Sequence, residues 1–276
     1  MEQIKLLFLD IDGTIAPDSN QVTSAVKQAV GKLQSRGIKV GLATGRMYCS
    51  AVRFHRDIGA DLPIIAYNGA WIQHPEDEQI IAHRPLNNSI ALKLFNYLKS
   101  RSTDSPLEIH IYFNDELYVD KVTPKTDSYI ERSGITVNVV EDLAPLLSQS
   151  PTKLLALSPD AMMIKELLED LSALHREQDL YLTQSNPIYL EATASNVHKG
   201  NAIKFLTEEI LDLSSANVMA IGDNFNDATM LQYAGLSVAM GNAPDDIKNI
   251  ADYTTTSVDD NGVAYIIEML LSQNSC

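Results

Sequence analysis

A chain of 276 residues, 45% hydrophobic and 21% charged, is long enough for two ordinary domains and can bury a sizeable core. Its net charge of −15 opposes phosphate backbones and anionic lipid surfaces, so no nucleic-acid partner and no membrane association are expected. Two cysteines, Cys49 and Cys276, without a C-x-x-C spacing argue against a disulfide framework and a cysteine zinc site; with no basic leader and no membrane-length apolar stretch, the expected compartment is the cytoplasm.

The apolar run over residues 4–9 predicts a strand at 4–10 buried on both faces of a parallel sheet. Helix-like and strand-like stretches then alternate: helix 22–35, strand 38–43, helix 47–58 and strand 63–67. That alternation predicts βαβ units. Stretches 70–74 and 79–83, separated by Pro75-Glu76-Asp77-Glu78, read as a hairpin. From about 85 the rhythm changes. Ala91, Leu94, Phe95 and Leu98 carry helical spacing, 107–113 and 116–122 read as strands across Asn114-Asp115, and a helix at 125–132 precedes a strand at 135–140. A strand at 153–157, a helix marked by Ile164, Leu167, Leu168 and Leu171, and strands at 179–183 and 187–192 complete this region. The βαβ rhythm returns with helix 199–211, strand 217–221, helix 225–233, strand 236–240, helix 244–249 and a last helix at 260–272. The expected architecture is α/β: a doubly wound, Rossmann-like parallel core from residues 1–84 and 191–276, with an α/β cap inserted at 85–190.

Four clusters at predicted strand ends or helix starts carry chemistry. Asp10-Ile11-Asp12-Gly13-Thr14 follows the first strand, at the edge where open α/β sheets hold ligands. Two carboxylates two residues apart on one side of an extended segment favour a cation between them or a shared proton; an acidic turn is the plain alternative. Thr44-Gly45-Arg46 offers a hydroxyl and backbone N–H groups to a phosphate oxygen, or is only a Thr-Gly helix entry. Arg46 suits either phosphate or a structural ion pair. Lys199-Gly200 opens a helix with a point charge that a lone solvated lysine would also supply. Gly222-Asp223-Asn224-Phe225-Asn226-Asp227 sets oxygen ligands of the magnesium type at a strand tip, and a helix N-cap accounts for only one of them.

In this order the four clusters resemble the motifs of haloacid dehalogenase (HAD) superfamily phosphatases, and the insertion after Asn68-Gly69-Ala70 resembles the Cof-type subgroup. The resemblance implies a Mg2+-dependent phosphomonoester hydrolase acting on a small phosphorylated metabolite, a sugar phosphate or phosphorylated cofactor. It implies Asp10 as the nucleophile that becomes an aspartyl-phosphate and Asp12 as the acid and base. It further implies Mg2+ bound by Asp10, the Asp12 carbonyl and Asp223 with Asp227 in support, and phosphate oxygens held by Thr44, Gly45, Lys199 and Asn226. Ile188-Tyr189-Leu190-Glu191-Ala192-Thr193-Ala194 departs from the pattern, because relatives more often carry isoleucine and proline after the glutamate. A sugar phosphotransferase or phosphomutase shares the first chemical step, and a catalytically silent sugar-phosphate sensor is the non-enzymatic alternative. A monomer or small homo-oligomer is expected. The six histidines form no H-E-x-x-H run and His198 reads as structural; no Gly-x-Ser-x-Gly elbow, Walker loop or Gly-x-Gly-x-x-Gly fingerprint occurs. Tyr112, Asn114 and Tyr189 are candidate groups facing the substrate from the cap, each equally readable as cap structure.

Overall fold

The computed structural model describes residues 3–77, 79–102, 106–175 and 179–273, so Glu78 and Cys276 lie outside the described residues. The first part of the chain runs β1 (Leu6–Leu9), α1 (Ser24–Gln34), β2 (Lys39–Leu42), α2 (Tyr48–Ile58), β3 (Ile64–Ala66), β4 (Trp71–Gln73) and β5 (Ile80–His83). It continues through α3 (Asn88–Arg101), β6 (Glu108–Phe113), β7 (Glu116–Val119), α4 (Pro124–Ser133), β8 (Val137–Val139), β9 (Lys153–Leu157), α5 (Ala161–Leu174), β10 (Leu180–Thr183) and β11 (Tyr189–Ala194). It closes with α6 (Lys199–Lys204), β12 (Val218–Gly222), α7 (Ala228–Tyr233), β13 (Leu236–Ala239), α8 (Asp245–Lys248), β14 (Tyr253–Thr254) and α9 (Gly262–Gln273).

All four residues of β1 are buried because both faces of its sheet are covered. Leu7 and Leu9 pack into the cluster that holds Val26, Val30 and Leu33 of α1, Phe54 of α2 and Ile267 of α9. Leu6 and Phe8 face the opposite cluster, with Ala202 and Ile203 of α6 and Met230 and Leu231 of α7. Each such side chain contributes about 1.5–3 kcal/mol by leaving water, so an uninterrupted apolar strand belongs at the sheet centre. The strand order is β14-β13-β12-β1-β2, and every pair is parallel. β1 therefore lies between an early and a late strand, and the crevice at their C-terminal ends is the topological switch point.

The expected hairpin is present as β4 and β5, paired antiparallel beside β3. The second sheet has six strands in the order β10-β11-β9-β6-β7-β8 and is mainly antiparallel. Leu154 and Ala156 of β9 pack under Leu94 and Leu98 of α3 and Leu167 and Leu171 of α5. Leu155, between them, turns to the other face and joins Tyr112 in the cluster shared with the parallel-sheet core. One face of this sheet is thus sealed by helices and the other is turned towards the parallel core.

Two expected helices are subdivided. The helix over 199–211 is α6 followed by a π-helical turn over Phe205–Ile210. The helix over 225–233 begins as a 3-10 turn, Phe225–Asp227, because the Asp227 side chain accepts the N–H groups of Asp223 and Asn224 and tightens the entry. A 3-10 turn over Ala144–Gln149 and the two-residue β14 are too short to show a period in the sequence.

Candidate active site

Three strand tips converge at the switch point. β1 runs into Asp10, β2 into Thr44-Gly45-Arg46, and β12 into Asp223, while α6 brings in Lys199. Lys199 has no exposed side-chain surface; its Nζ donates to Asp10 Oδ1 at 2.7 Å and to Asp227 Oδ1 at 2.6 Å. His198 is structural: its Nδ1 accepts the Asn201 N–H and caps α6. Ligand oxygens of Asp10, Asp223 and Asp227 lie within 4.8 Å of one another, and all three residues are buried. Asp227 has its other oxygen engaged by the Asp223 and Asn224 N–H groups at 2.8 and 3.0 Å, which makes it a brace rather than an open ligand. Asp223 accepts from Thr14 Oγ1 at 3.1 Å and from Asn242 Nδ2 at 3.3 Å.

Burial pushes the Asp10 carboxyl up to about 7, with repulsion from Asp227 and Asp12 added and the Lys199 ammonium opposing. Burial and the charges of Asp227 and Asp10 hold Asp223 well above the usual carboxylate range. Burial alone would lower Lys199, but Asp10 and Asp227 outweigh it and hold its pKa above the ordinary lysine value. Three carboxylates against one ammonium leave an anionic oxygen cluster, a donor set that fits a hard divalent cation.

The carboxylate of Asp12 is not part of the Asp10–Asp223–Asp227 oxygen cluster; it is paired with arginines instead. Asp12 lies beyond the strand end, where the chain is already turning, yet it lines the same cavity as Asp10. It is held by Arg46, Nε to Oδ2 at 2.7 Å and Nη2 to Oδ1 at 2.6 Å, and by Arg132 Nη2 from the second domain at 3.0 Å. Burial raises its pKa, yet the two guanidiniums prevail and leave it below the ordinary value. The side chain keeps 40% of its surface, directed into a cavity of about 220 Å³. Asp10, Thr44, Gly45 and Asn226 line that cavity from the core, and Tyr129, Arg132, Lys153, Ser185, Tyr189 and Glu191 from the second domain. Of the candidate cap groups, Tyr189 lines the cavity. Tyr112 is fully buried with its hydroxyl donating to Tyr129, and Asn114 lies in the β6–β7 turn, outside the lining.

The Thr44-Gly45 segment is tight. Asn226 Nδ2 donates to Asn68 Oδ1 at 3.1 Å, and Asn68 Nδ2 donates to Glu191 Oε2 at 3.0 Å. Glu191 also receives Lys153 Nζ at 2.9 Å and the Ser185 hydroxyl. A Cβ on Gly45 would come within 3.0 Å of Asn68 Oδ1, so glycine keeps the backbone open to a ligand. Gly13, at φ +72°, faces Asp223 so closely that a Cβ would drive into its carboxylate. Gly13→Ala is expected to cost about 1–2 kcal/mol from the left-handed backbone alone. Thermal unfolding should show this loss, together with a weaker response to added divalent metal.

Sequence reasoning missed Arg132, Lys153, Glu191, Asn68 and Asn242. Of these, Glu191 carried a signal as the glutamate of the 188–194 stretch, and Arg46 was flagged by sitting beside Thr44-Gly45.

A parallel sheet with a buried acidic cluster at its switch point, beneath a cavity lined in part by an inserted domain, is an arrangement suited to phosphoryl transfer. The chain belongs to the haloacid dehalogenase-like hydrolases, whose family model matches residues 7–267. It is 27% identical to phosphatase YwpJ of Bacillus subtilis, covering 97% of this chain and 100% of that one. It is also 27% identical to the B. subtilis 5-amino-6-(5-phospho-D-ribitylamino)uracil phosphatase YitU, covering 97% of each. Among solved structures, TM0651 of Thermotoga maritima matches with a TM-score of 0.78 at 32% identity, over 96% of this chain and 97% of that one.

Proposed function

We propose that this enzyme hydrolyses small phosphomonoesters with Mg2+ through an aspartyl-phosphate on Asp10. The observation that carries the reading is the buried Asp10–Lys199–Asp227 arrangement beside Asp223, placed so that Asp10 also lines the cavity with Asp12. Mg2+ would be held by the Asp10 carboxylate, the Asp12 carbonyl and Asp223, with Asp227 in support, and when bound it neutralises phosphate charge and aligns the ester.

The Asp10 carboxylate attacks phosphorus while the ester P–O bond breaks, and protonated Asp12 gives its proton to the departing oxygen. Water then attacks phosphorus, Asp12 takes the water proton, and inorganic phosphate leaves with Asp10 restored. The ionised Asp12 that Arg46 and Arg132 favour is the form needed for this second half. Thr44, Gly45, Lys199 and Asn226 hold the phosphate oxygens, and residues 85–190 act as the cap that sets specificity, with the cap sheet running past the expected boundary at 190 because β11 continues in it to Ala194.

The cavity of about 220 Å³ is smaller than the roughly 300–1,000 Å³ typical of drug-sized ligand sites. That favours a compact sugar or polyol phosphate over a large phosphorylated cofactor. The substrate would be a soluble metabolite of the cytoplasm, met by a monomer or small homo-oligomer; the net charge of −15 disfavours a nucleic-acid substrate. Among the described residues, no helix is long and apolar enough to cross a membrane.

The test is inorganic phosphate release from a panel of sugar, nucleotide and cofactor phosphates, each with Mg2+ or EDTA. Metal-dependent release supports the proposal, and sugar acceptors phosphorylated faster than phosphate is released would replace hydrolysis by transfer. Asp12→Ala is expected to slow alkyl esters by about 10²–10⁴-fold and 4-nitrophenyl phosphate far less. Equal losses on both would remove Asp12 from the acid role.

A further inference from the structure

Helix α2 begins four residues after Thr44 and carries no N-cap of its own. Met47 stands at the N-cap position and its side chain makes no capping hydrogen bond. The first turn of a helix exposes N–H groups that need an acceptor, and methionine cannot supply one. The acceptor comes from the other domain. Asp115, at the tip of the β6–β7 hairpin, takes the Tyr48 N–H on Oδ1 at 2.9 Å and the Cys49 N–H on Oδ2 at 2.8 Å. Tyr67 Oη donates to the same Oδ1 at 2.7 Å. Asn114 and Asp115 both hold positive φ, +51° and +60°, the conformation of a two-residue hairpin turn that aims the carboxylate outward.

The segment capped this way is the one assigned above to phosphate. Thr44 Oγ1 accepts the Arg46 N–H, and the Tyr67 and Asn68 N–H groups bond to the Arg46 and Thr44 carbonyls. Tyr67 thus touches both the loop and its cap. From the other side, Lys153 Nζ of β9 donates to the Gly45 carbonyl at 2.8 Å. The inserted domain grips both flanks of the loop, and Asp115 does so from outside the cavity.

We propose that Asp115 is a positioning residue for phosphate binding: it lends α2 the N-cap that Met47 cannot provide, so that the loop of Thr44, Gly45 and Arg46 is ordered when the cap is seated. The inference rests on the phosphatase reading for the role of that loop. It makes cap seating and phosphate affinity two faces of one equilibrium, because whatever lifts the hairpin tip also uncaps α2.

Asp115→Gly is the informative variant, since glycine adopts φ +60° freely and only the carboxylate is lost. Asp115→Asn keeps one acceptor and is the conservative partner. Calorimetry of inorganic phosphate in the presence of Mg2+, KM and kcat for 4-nitrophenyl phosphate, and amide exchange over 44–50 are measured on the full chain. Asp115→Gly should weaken phosphate and raise KM by about five- to tenfold, the size of a lost cap, with a smaller change in kcat. Exchange over 44–50 should quicken, and Asp115→Asn should recover much of each effect. A lower melting temperature with unchanged phosphate affinity would make Asp115 merely structural and overturn the proposal. If the wild type releases no phosphate from any ester yet binds it, the phosphatase reading falls while the affinity comparison still decides on Asp115. A wild type that binds no phosphate overturns both.

Discussion

Asp10→Asn is expected to lower phosphate release by about a thousandfold or more, with the fold intact. Asparagine has the shape of aspartate, and its amide oxygen can still accept from Lys199 Nζ, which now sits 2.7 Å from Asp10 Oδ1. What disappears is the anionic oxygen that attacks phosphorus, and no nearby group replaces it. Asp12 is committed to Arg46 and Arg132, and Asp227 to Lys199 and two backbone N–H groups. The same substitution has a signature without substrate. In the metal-free protein the Asp10 carboxyl titrates at about 7, against an ordinary value of 3.8. Between those values the folded protein holds a proton that the unfolded chain has released, so stability falls as pH rises through that window. Asp10→Asn removes the penalty. Its melting temperature without metal should exceed that of the wild type most at pH 8, with the excess shrinking to well under half by pH 5 and vanishing below about pH 4. Near-normal turnover in a contamination-free preparation would eliminate Asp10 as the nucleophile.

The core was readable because its functional residues sit where periodicity changes. The apolar run ending at Leu9 announces a strand buried on both faces, so Asp10 stands out as the first polar residue at the sheet edge. Val218–Gly222 followed by Asp223 repeats the signal. The cap contributions carry no such mark. Arg132 is 120 residues from Asp12, and before docking it reads as the basic last turn that suits any helix C-terminus. Lys153 opens a strand that reads as ordinary, and its cationic end becomes significant only when folding buries it against Gly45 and Glu191. Asp115 belongs to an Asn-Asp turn whose composition fully explains a hairpin. Its second task exists only because Met47 leaves α2 uncapped. The two carboxylates are a different case: their spacing pointed to a cation between them or a shared proton, and it could not reveal that Arg46 and Arg132, one of them 120 residues away, take the Asp12 side chain.

Lys199→Met should be the most destabilising single change at the site. The ammonium is fully buried and sits between Asp10 and Asp227, with Asp223 close by. Removing one partner of a buried ion pair strands the other's charge, which costs about 3–5 kcal/mol. For a chain of this size that is a fall in melting temperature of about 6–15 °C. Activity should drop at least 10²-fold through lost electrostatic stabilisation. Lys199→Arg should not rescue it, because a planar, longer guanidinium has no room where the lysine has none exposed. The decisive comparison is a double-mutant cycle with Asp227→Asn, read as unfolding free energy in EDTA and in Mg2+. If stranded negative charge is the cause, Lys199→Met with Asp227→Asn should be more stable than Lys199→Met alone, a coupling of about 1–3 kcal/mol. Mg2+ should recover more stability in the single variant than in the double, because the cation answers the same excess charge. Additive losses in the cycle would instead assign the lysine's effect to packing of its four-carbon stem.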